Sequence, residues 1–67
     1  MIQVAINGET KQVQDGLSVR DLLQALAITR EQVAVEINHH LVRRAEFDRT
    51  RVRDGDAVEI VTFVGGG

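Results

Sequence analysis

The sequence closes on Gly65-Gly66-Gly67, which places three of its six glycines in the last three positions. They follow the strand-like run Val61 to Val64 with no spacer. Residues without side chains have nothing to pack, so this tail is expected to be mobile. Fully extended, three residues reach about 10 Å, and the segment is slim enough to enter a channel that any Cβ would block. The reactive group it offers is the α-carboxylate of Gly67. With a pKa of about 3.3–3.7 that group is an anion at neutral pH and resists nucleophilic attack. It becomes a donor only when activated, most simply as an acyl-adenylate made from ATP. The chain shows no Walker-type glycine-rich loop and no evident metal cluster, so a partner is expected to supply the activation. Read from the residues alone, the three glycines fit a bland trailing segment as well. Their place directly after a strand, at the end of a compact domain, favours the chemical reading.

Other chemistry-bearing residues form weaker patterns. His39 and His40 could be metal ligands or a general base, but adjacent residues point in different directions and no third ligand is apparent, so surface turn residues are the simpler reading. Asp54-Gly55-Asp56 could hold a cation. A turn explains the same spacing without the further oxygens and downstream Glu that a calcium loop needs. Neither a bound metal nor a bound cofactor is expected. Arg43, Arg44, Arg49, Arg51 and Arg53 lie within eleven residues whose acids are Glu46 and Asp48, so this segment carries +3 and the rest of the chain −5. A solvated charged loop is one reading, and electrostatic docking to an acidic partner surface is the other.

Composition narrows the field further. At 67 residues there is room for one domain, and 43% hydrophobic with 27% charged residues is an ordinary globular balance. The absence of cysteine removes disulfides, thiolate metal sites and a cysteine nucleophile. A core this thin can hardly also enclose a substrate pocket of roughly 300–1,000 Å3. A carrier or binding module is therefore expected rather than a self-contained enzyme. A net charge of −2 and two aromatic residues, Phe47 and Phe63, argue against nucleic-acid binding. No apolar run approaches the roughly 20 residues of a membrane helix. Met1 runs into Ile2-Gln3-Val4 without a signal-peptide pattern, so a cytoplasmic protein is expected, and one that is a monomer when free.

The tail has to be held by the elements before it. Ile2, Val4 and Ile6 alternate with polar or small residues as a strand, and Asn7-Gly8 is a hairpin-turn pair. Thr10 to Gln14 reads as a polar edge strand carrying Lys11. Ser18 with Asp21 three residues on resembles a capping box, and Val19, Leu22, Leu23 and Leu26 form one apolar stripe of a helix of about nine residues. Val33, Val35 and Ile37 mark a third strand. Asn38-His39-His40 reads as a turn and Leu41-Val42-Arg43 as a short strand. Arg44 to Arg53 is expected to be irregular, anchored by Phe47 and Val52. Ala57 to Val64 forms the last strand, with Val58 and Ile60 in the core. The pattern is α+β, one helix over one face of a mixed sheet of four to five strands, with the first and last strands central. Residues 1–64 are expected to form the domain and 65–67 its tail. Phe63 and Val64 divide between core packing and a partner-contact patch around the tail, a patch that Val61, opposite in phase to Ile60, can join.

Taken together, several stretches resemble the bacterial thiamine-biosynthesis sulfur carriers, the ThiS family of the ubiquitin-like β-grasp superfamily. They are Val4-Ala5-Ile6-Asn7-Gly8, Val19 to Leu23, Val35-Glu36-Ile37-Asn38 with Leu41-Val42-Arg43, and Asp54 to Val61 running into Gly65-Gly66-Gly67. The terminal Gly-Gly alone is shared with ubiquitin-like modifiers and with the small subunit of molybdopterin synthase. The resemblance implies a β-grasp fold and a cycle in which a ThiF-like adenylating enzyme uses MgATP to adenylate Gly67. A sulfur-donating enzyme such as cysteine desulfurase then supplies the sulfur of a thiocarboxylate, and thiazole synthase takes it up. Gly65 and Gly66 would provide access, although Ala-Gly-Gly is also common in the family, which leaves Gly66 and Gly67 as the firm motif. The alternatives are the molybdopterin synthase small subunit and a non-catalytic β-grasp interaction module.

Overall fold

A computed structural model describes residues 1–29 and 32–63. Strand β1 (Ile2–Ile6) turns through Asn7 and Gly8, both at positive φ (50° and 87°), into β2 (Glu9–Val13). Two consecutive left-handed residues are what a tight two-residue hairpin demands, and Asn-Gly meets that demand at little steric cost. The returning strand begins and ends one residue earlier than the expected Thr10–Gln14, because the two-residue turn pairs Ile6 directly with Glu9.

Helix α1 (Val19–Ala25) is closed at its start by a full capping box. The Asp21 N–H donates to the Ser18 hydroxyl at 3.0 Å, and the Ser18 N–H donates to the Asp21 carboxylate at 3.2 Å. The helix has seven residues rather than the nine expected, because its last turn closes early. The Ile28 N–H donates to the Leu23 carbonyl and the Ala27 N–H to the Gln24 carbonyl, a Schellman closure that places Ala27 at φ 59°. Leu26 therefore caps the helix and stays half-buried.

Strand β3 (Val33–Ile37) returns through Asn38 and His39, at φ 52° and 70°, into β4 (His40–Val42). His40 thus belongs to the strand and Arg43 does not, a one-residue shift from the expected Leu41–Arg43 with the same cause as in the first hairpin. The Arg44–Arg53 stretch is more ordered than expected. Arg44–Glu46 makes a 3-10 turn, and the backbone is tied to the start of α1 by hydrogen bonds from Val19 to Thr50, from Arg20 to Phe47 and from Val52 to Leu17.

Strand β5 (Ala57–Thr62) completes a five-stranded sheet in the order β2-β1-β5-β3-β4. It lies between β1, to which it runs parallel, and β3, to which it is antiparallel. The core lies between the sheet and α1: Val4, Ile6, Val33, Val35, Val58 and Ile60 meet Val19, Leu22 and Leu23, with Phe47 and Val52 closing one end. Phe47 and Val52 are the two anchors expected of the basic segment, and both are buried. The last strand stops at Thr62, short of the expected Val64, because its partner β3 begins at Val33 opposite Thr62; the boundary between residues 1–64 and 65–67 falls outside the described residues. No described helix is long and apolar enough to cross a membrane.

Candidate functional site

Strand β5 is the last described strand ahead of Gly65–Gly67 in the sequence. It is paired on both sides. Toward β3 the register runs from Ile37 opposite Val58 to Val33 opposite Thr62, and the Phe63 N–H adds a bond to the Gln32 carbonyl at 2.7 Å. Toward β1 the ladder is short, with Ala5 opposite Ala57 and Ile6 opposite Val58.

Two asparagines extend this pairing with their side chains. The Asn7 carboxamide accepts from the Ile60 N–H at 2.7 Å and donates to the Ile60 carbonyl at 3.1 Å, both in a partly buried setting. Asn38 plays a related part at the start of the strand. Its side-chain oxygen accepts from the Ala57 N–H at 2.9 Å, its backbone N–H donates to the Ala57 carbonyl, and its side-chain amide donates to the Asp56 carboxylate. Both residues were legible as turn formers, but their second role was not. The signal available was Asn, rather than Gly, at the first position of each turn.

The exposed face of the sheet is the one turned away from α1. Register and alternation put Ala5, Ala34, Ala57, Leu41 and Val61 on it. Val61 is 56% exposed and Phe63 54% exposed, which excludes core packing for Phe63 and leaves both side chains free to meet a partner. Exposed large apolar side chains at the end of a central strand, rimmed by polar surface, are a common mark of an interaction site. Val64, Gly65, Gly66 and Gly67, the other expected site residues, lie outside the described residues.

The remaining candidates resolve into structural roles. His39 and His40 are exposed in and beside the second turn. No group of three or more His, Cys, Asp or Glu side chains able to hold a metal ion occurs among the described residues. Asp54 accepts from the Gln3 N–H at 2.9 Å and Asp56 from the Arg53 N–H at 2.8 Å, so one carboxylate ties the turn around Gly55 to β1 and the other closes it. The Asp21 carboxyl is held below its ordinary value, first by the Ser18 backbone N–H and then by the Ser18 hydroxyl, as a helix cap rather than an acid catalyst.

Known proteins bear on this arrangement. The model of the ThiS family matches residues 2–67. The crystal structure of the thiamine biosynthesis protein ThiS from Geobacter metallireducens superposes with a TM-score of 0.84 at 42% identity, covering 98% of this chain and all of that one. Its β-grasp architecture is the five-stranded, one-helix arrangement described above. The sulfur carrier protein ThiS of Bacillus subtilis is 33% identical over 92% of this chain and 96% of its own length. The thiazole synthase of Paramagnetospirillum magneticum is 38% identical over 98% of this chain, which spans only 20% of that protein.

Proposed function

This chain belongs to the ThiS family, and on that premise we propose that it is a sulfur carrier of thiamine thiazole formation, with Gly67 as the carrying residue. A ThiF-like partner enzyme uses MgATP to join the Gly67 carboxylate to AMP, releasing pyrophosphate. The terminal sulfur of a persulfide made by a donor such as a cysteine desulfurase displaces AMP to give an acyl disulfide, and a second thiol cleaves it, leaving the thiocarboxylate and a new disulfide. Thiazole synthase then takes the sulfur, and the carboxylate is regenerated.

The observation that carries this reading is the family match, which extends through Gly67 on a chain whose last strand is pinned on both sides. The carrier is a substrate of enzymes and not itself a catalyst. It binds no cofactor of its own. A small domain whose last strand is flanked on both sides and carries exposed Val61 with Phe63 just after it is suited to being handed between enzymes. Gly65 and Gly66 give the tail access to the activating site, and Val61, Phe63 and Val64 form the contact patch beside it. Thiazole synthase is supported as a partner by the relative that bears that name and contains a region matching this chain. The names of the relatives favour the thiamine pathway over the molybdopterin alternative.

The test is incubation with the cognate adenylating enzyme, ATP and a sulfur source. The intact mass should rise by the difference between one sulfur and one oxygen atom, and the increment should map to Gly67. A variant lacking Gly67 should keep its thermal stability and lose the mass change. An unaltered mass, with the enzyme shown active on another carrier, would sink the carrier reading. Loss of stability on deleting Gly67 would make the tail a structural element instead.

A further inference from the structure

The carrier reading leaves the strongest charged feature of the molecule unused. The basic segment from Arg43 to Arg53 borders an open groove of about 570 Å3, lined also by the end of β3, by β4 and by Asp56. Arg49, Arg51, Arg53 and His40 are on its walls, and Ile37, Leu41 and Val42 supply its apolar part. The acids there are Glu46 and Asp56. Asp56 is engaged by the Arg53 backbone N–H and the Asn38 amide. Asp48, the segment's other acid, pairs instead with Arg20 at 3.8 Å.

The cations are therefore poorly neutralised. Arg51 donates from Nη1 to the Gly16 carbonyl at 2.8 Å, an uncharged acceptor. Arg49 and Arg53 are exposed and meet no carboxylate within ion-pair distance among the described residues. The groove reaches Asp56, just ahead of the first residue of β5, and runs along β4 as far as Val42, which lies in register with Ile60 across β3. At about 3.3 Å per residue, the six residues of β5 carry the chain about 20 Å from Asp56 to Thr62.

We propose that this groove docks an acidic peptide segment of the activating enzyme. Carboxylates on that segment pair with the guanidinium forks of Arg49 and Arg53, and an apolar side chain rests on Leu41, which is 66% exposed. Docking there steers encounter by long-range attraction and leaves Val61 and Phe63, which do not line the groove, free for a second contact. The occupant is a protein and not a nucleic acid, because neither phenylalanine of the chain lines the groove and the net charge is negative. Phe47 is buried and Phe63 stands at the other end of β5. The identity of the partner as the activating enzyme rests on the carrier reading, while the preference of the groove for an acidic segment does not.

Two measurements test this. In the first, amide resonances of the intact chain are followed by NMR during titration with an oligoglutamate peptide and, separately, with oligothymidylate. Oligoglutamate should shift residues 37–42 and 46–56, and the shifts should vanish at high salt and in the Arg49→Glu/Arg53→Glu variant. No localised shift would overturn the proposal, and so would tighter binding of oligothymidylate, which would assign the groove to nucleic acid. In the second, the double variant is adenylated by the cognate enzyme. KM should rise at least about tenfold at low salt with kcat unchanged, the Arg49→Gln/Arg53→Gln variant should fall between, and all three should converge as salt rises. An unchanged KM would remove the activating enzyme as the partner. If even the unaltered chain is not adenylated, the carrier reading fails and the peptide titration alone decides the chemistry of the groove.

Discussion

The Asn7 side chain exchanges two hydrogen bonds with the backbone of Ile60, a residue 53 positions away, and so takes the place of the next residue in the β1–β5 ladder. The main chain cannot make these bonds itself, since at Asn7 it has already turned toward β2 with φ 50°. One carboxamide therefore serves a tight turn and the centre of the sheet at once. Replacing it with glycine separates the two roles, because glycine accepts the left-handed backbone but has no amide. The Asn7→Gly variant should fold, with a loss of about 1–3 kcal/mol in chemical denaturation from the unpaired Ile60 backbone groups. A change within a few tenths of a kcal/mol would show that water replaces the amide at no cost.

Ala27 offers the opposite experiment. It occupies the left-handed position of the Schellman closure at φ 59°, where a side chain is disfavoured by about 1–2 kcal/mol. Glycine relieves that cost but adds about 0.4–1 kcal/mol of chain entropy to be lost on folding. The Ala27→Gly variant should come out more stable by about 0.5–1 kcal/mol, read as a higher denaturation midpoint at unchanged slope. A chain this short has a total stability of roughly 3–10 kcal/mol, so the gain should be readily measured.

Acid should weaken the helix start. The Asp21 carboxyl is held below its ordinary 3.8 by the Ser18 backbone N–H and then the Ser18 hydroxyl. A carboxyl depressed in the folded state adds stability above its unfolded value and loses it as pH falls through the folded one. Between neutral pH and values well under 3.8, the stability advantage of the native chain over Asp21→Asn should narrow. A constant difference across that range would show that the carboxylate charge contributes nothing to the cap. Ser18→Ala, which removes the hydroxyl acceptor, should cost about 1 kcal/mol at neutral pH.

The surface patch predicts a separation of binding from stability. Val61 and Phe63 are more than half exposed, so Val61→Ser and Phe63→Ser should move stability by no more than about 0.5 kcal/mol. Their effect should appear as weaker association with the activating enzyme or with thiazole synthase, measured by calorimetry. Full-strength binding by the double variant would place the contact patch elsewhere on the sheet. Gly66→Ala should leave that association intact and slow adenylation, since it adds one Cβ to a segment that has to enter a narrow site.

Much of the architecture could be read from local pattern, because the signals involved act over a few residues. Alternation in Ile2–Ile6 and Val33–Ile37, the stripe Val19, Leu22, Leu23 and Leu26, and the Ser18/Asp21 cap all lie within one turn or one pleat of each other. Phe47 and Val52 stood out as isolated apolar residues in a charged stretch. The carboxamide contacts of Asn7 and Asn38 were hidden for the opposite reason, since their partners in β5 are distant in sequence and no periodicity marks them. The groove was legible only as charge. Its shape depends on the backbone ties that draw Thr50 and Val52 to the start of α1. At the patch, phase predicted the exposure of Val61, while Phe63 could be resolved only once the strand was seen to end at Thr62.

The parallel pairing of β1 with β5 has a practical corollary for anyone handling this molecule. Gln3 is bonded to Asp54 and Gly55, so Met1 sits at the end of the sheet where β5 begins, a full strand length from Thr62. An affinity tag, fluorophore or surface tether attached through Met1 would project from the end of the sheet that also carries Asp56 and the basic groove, so immobilised preparations should keep Val61 and Phe63 open to a partner while crowding the groove.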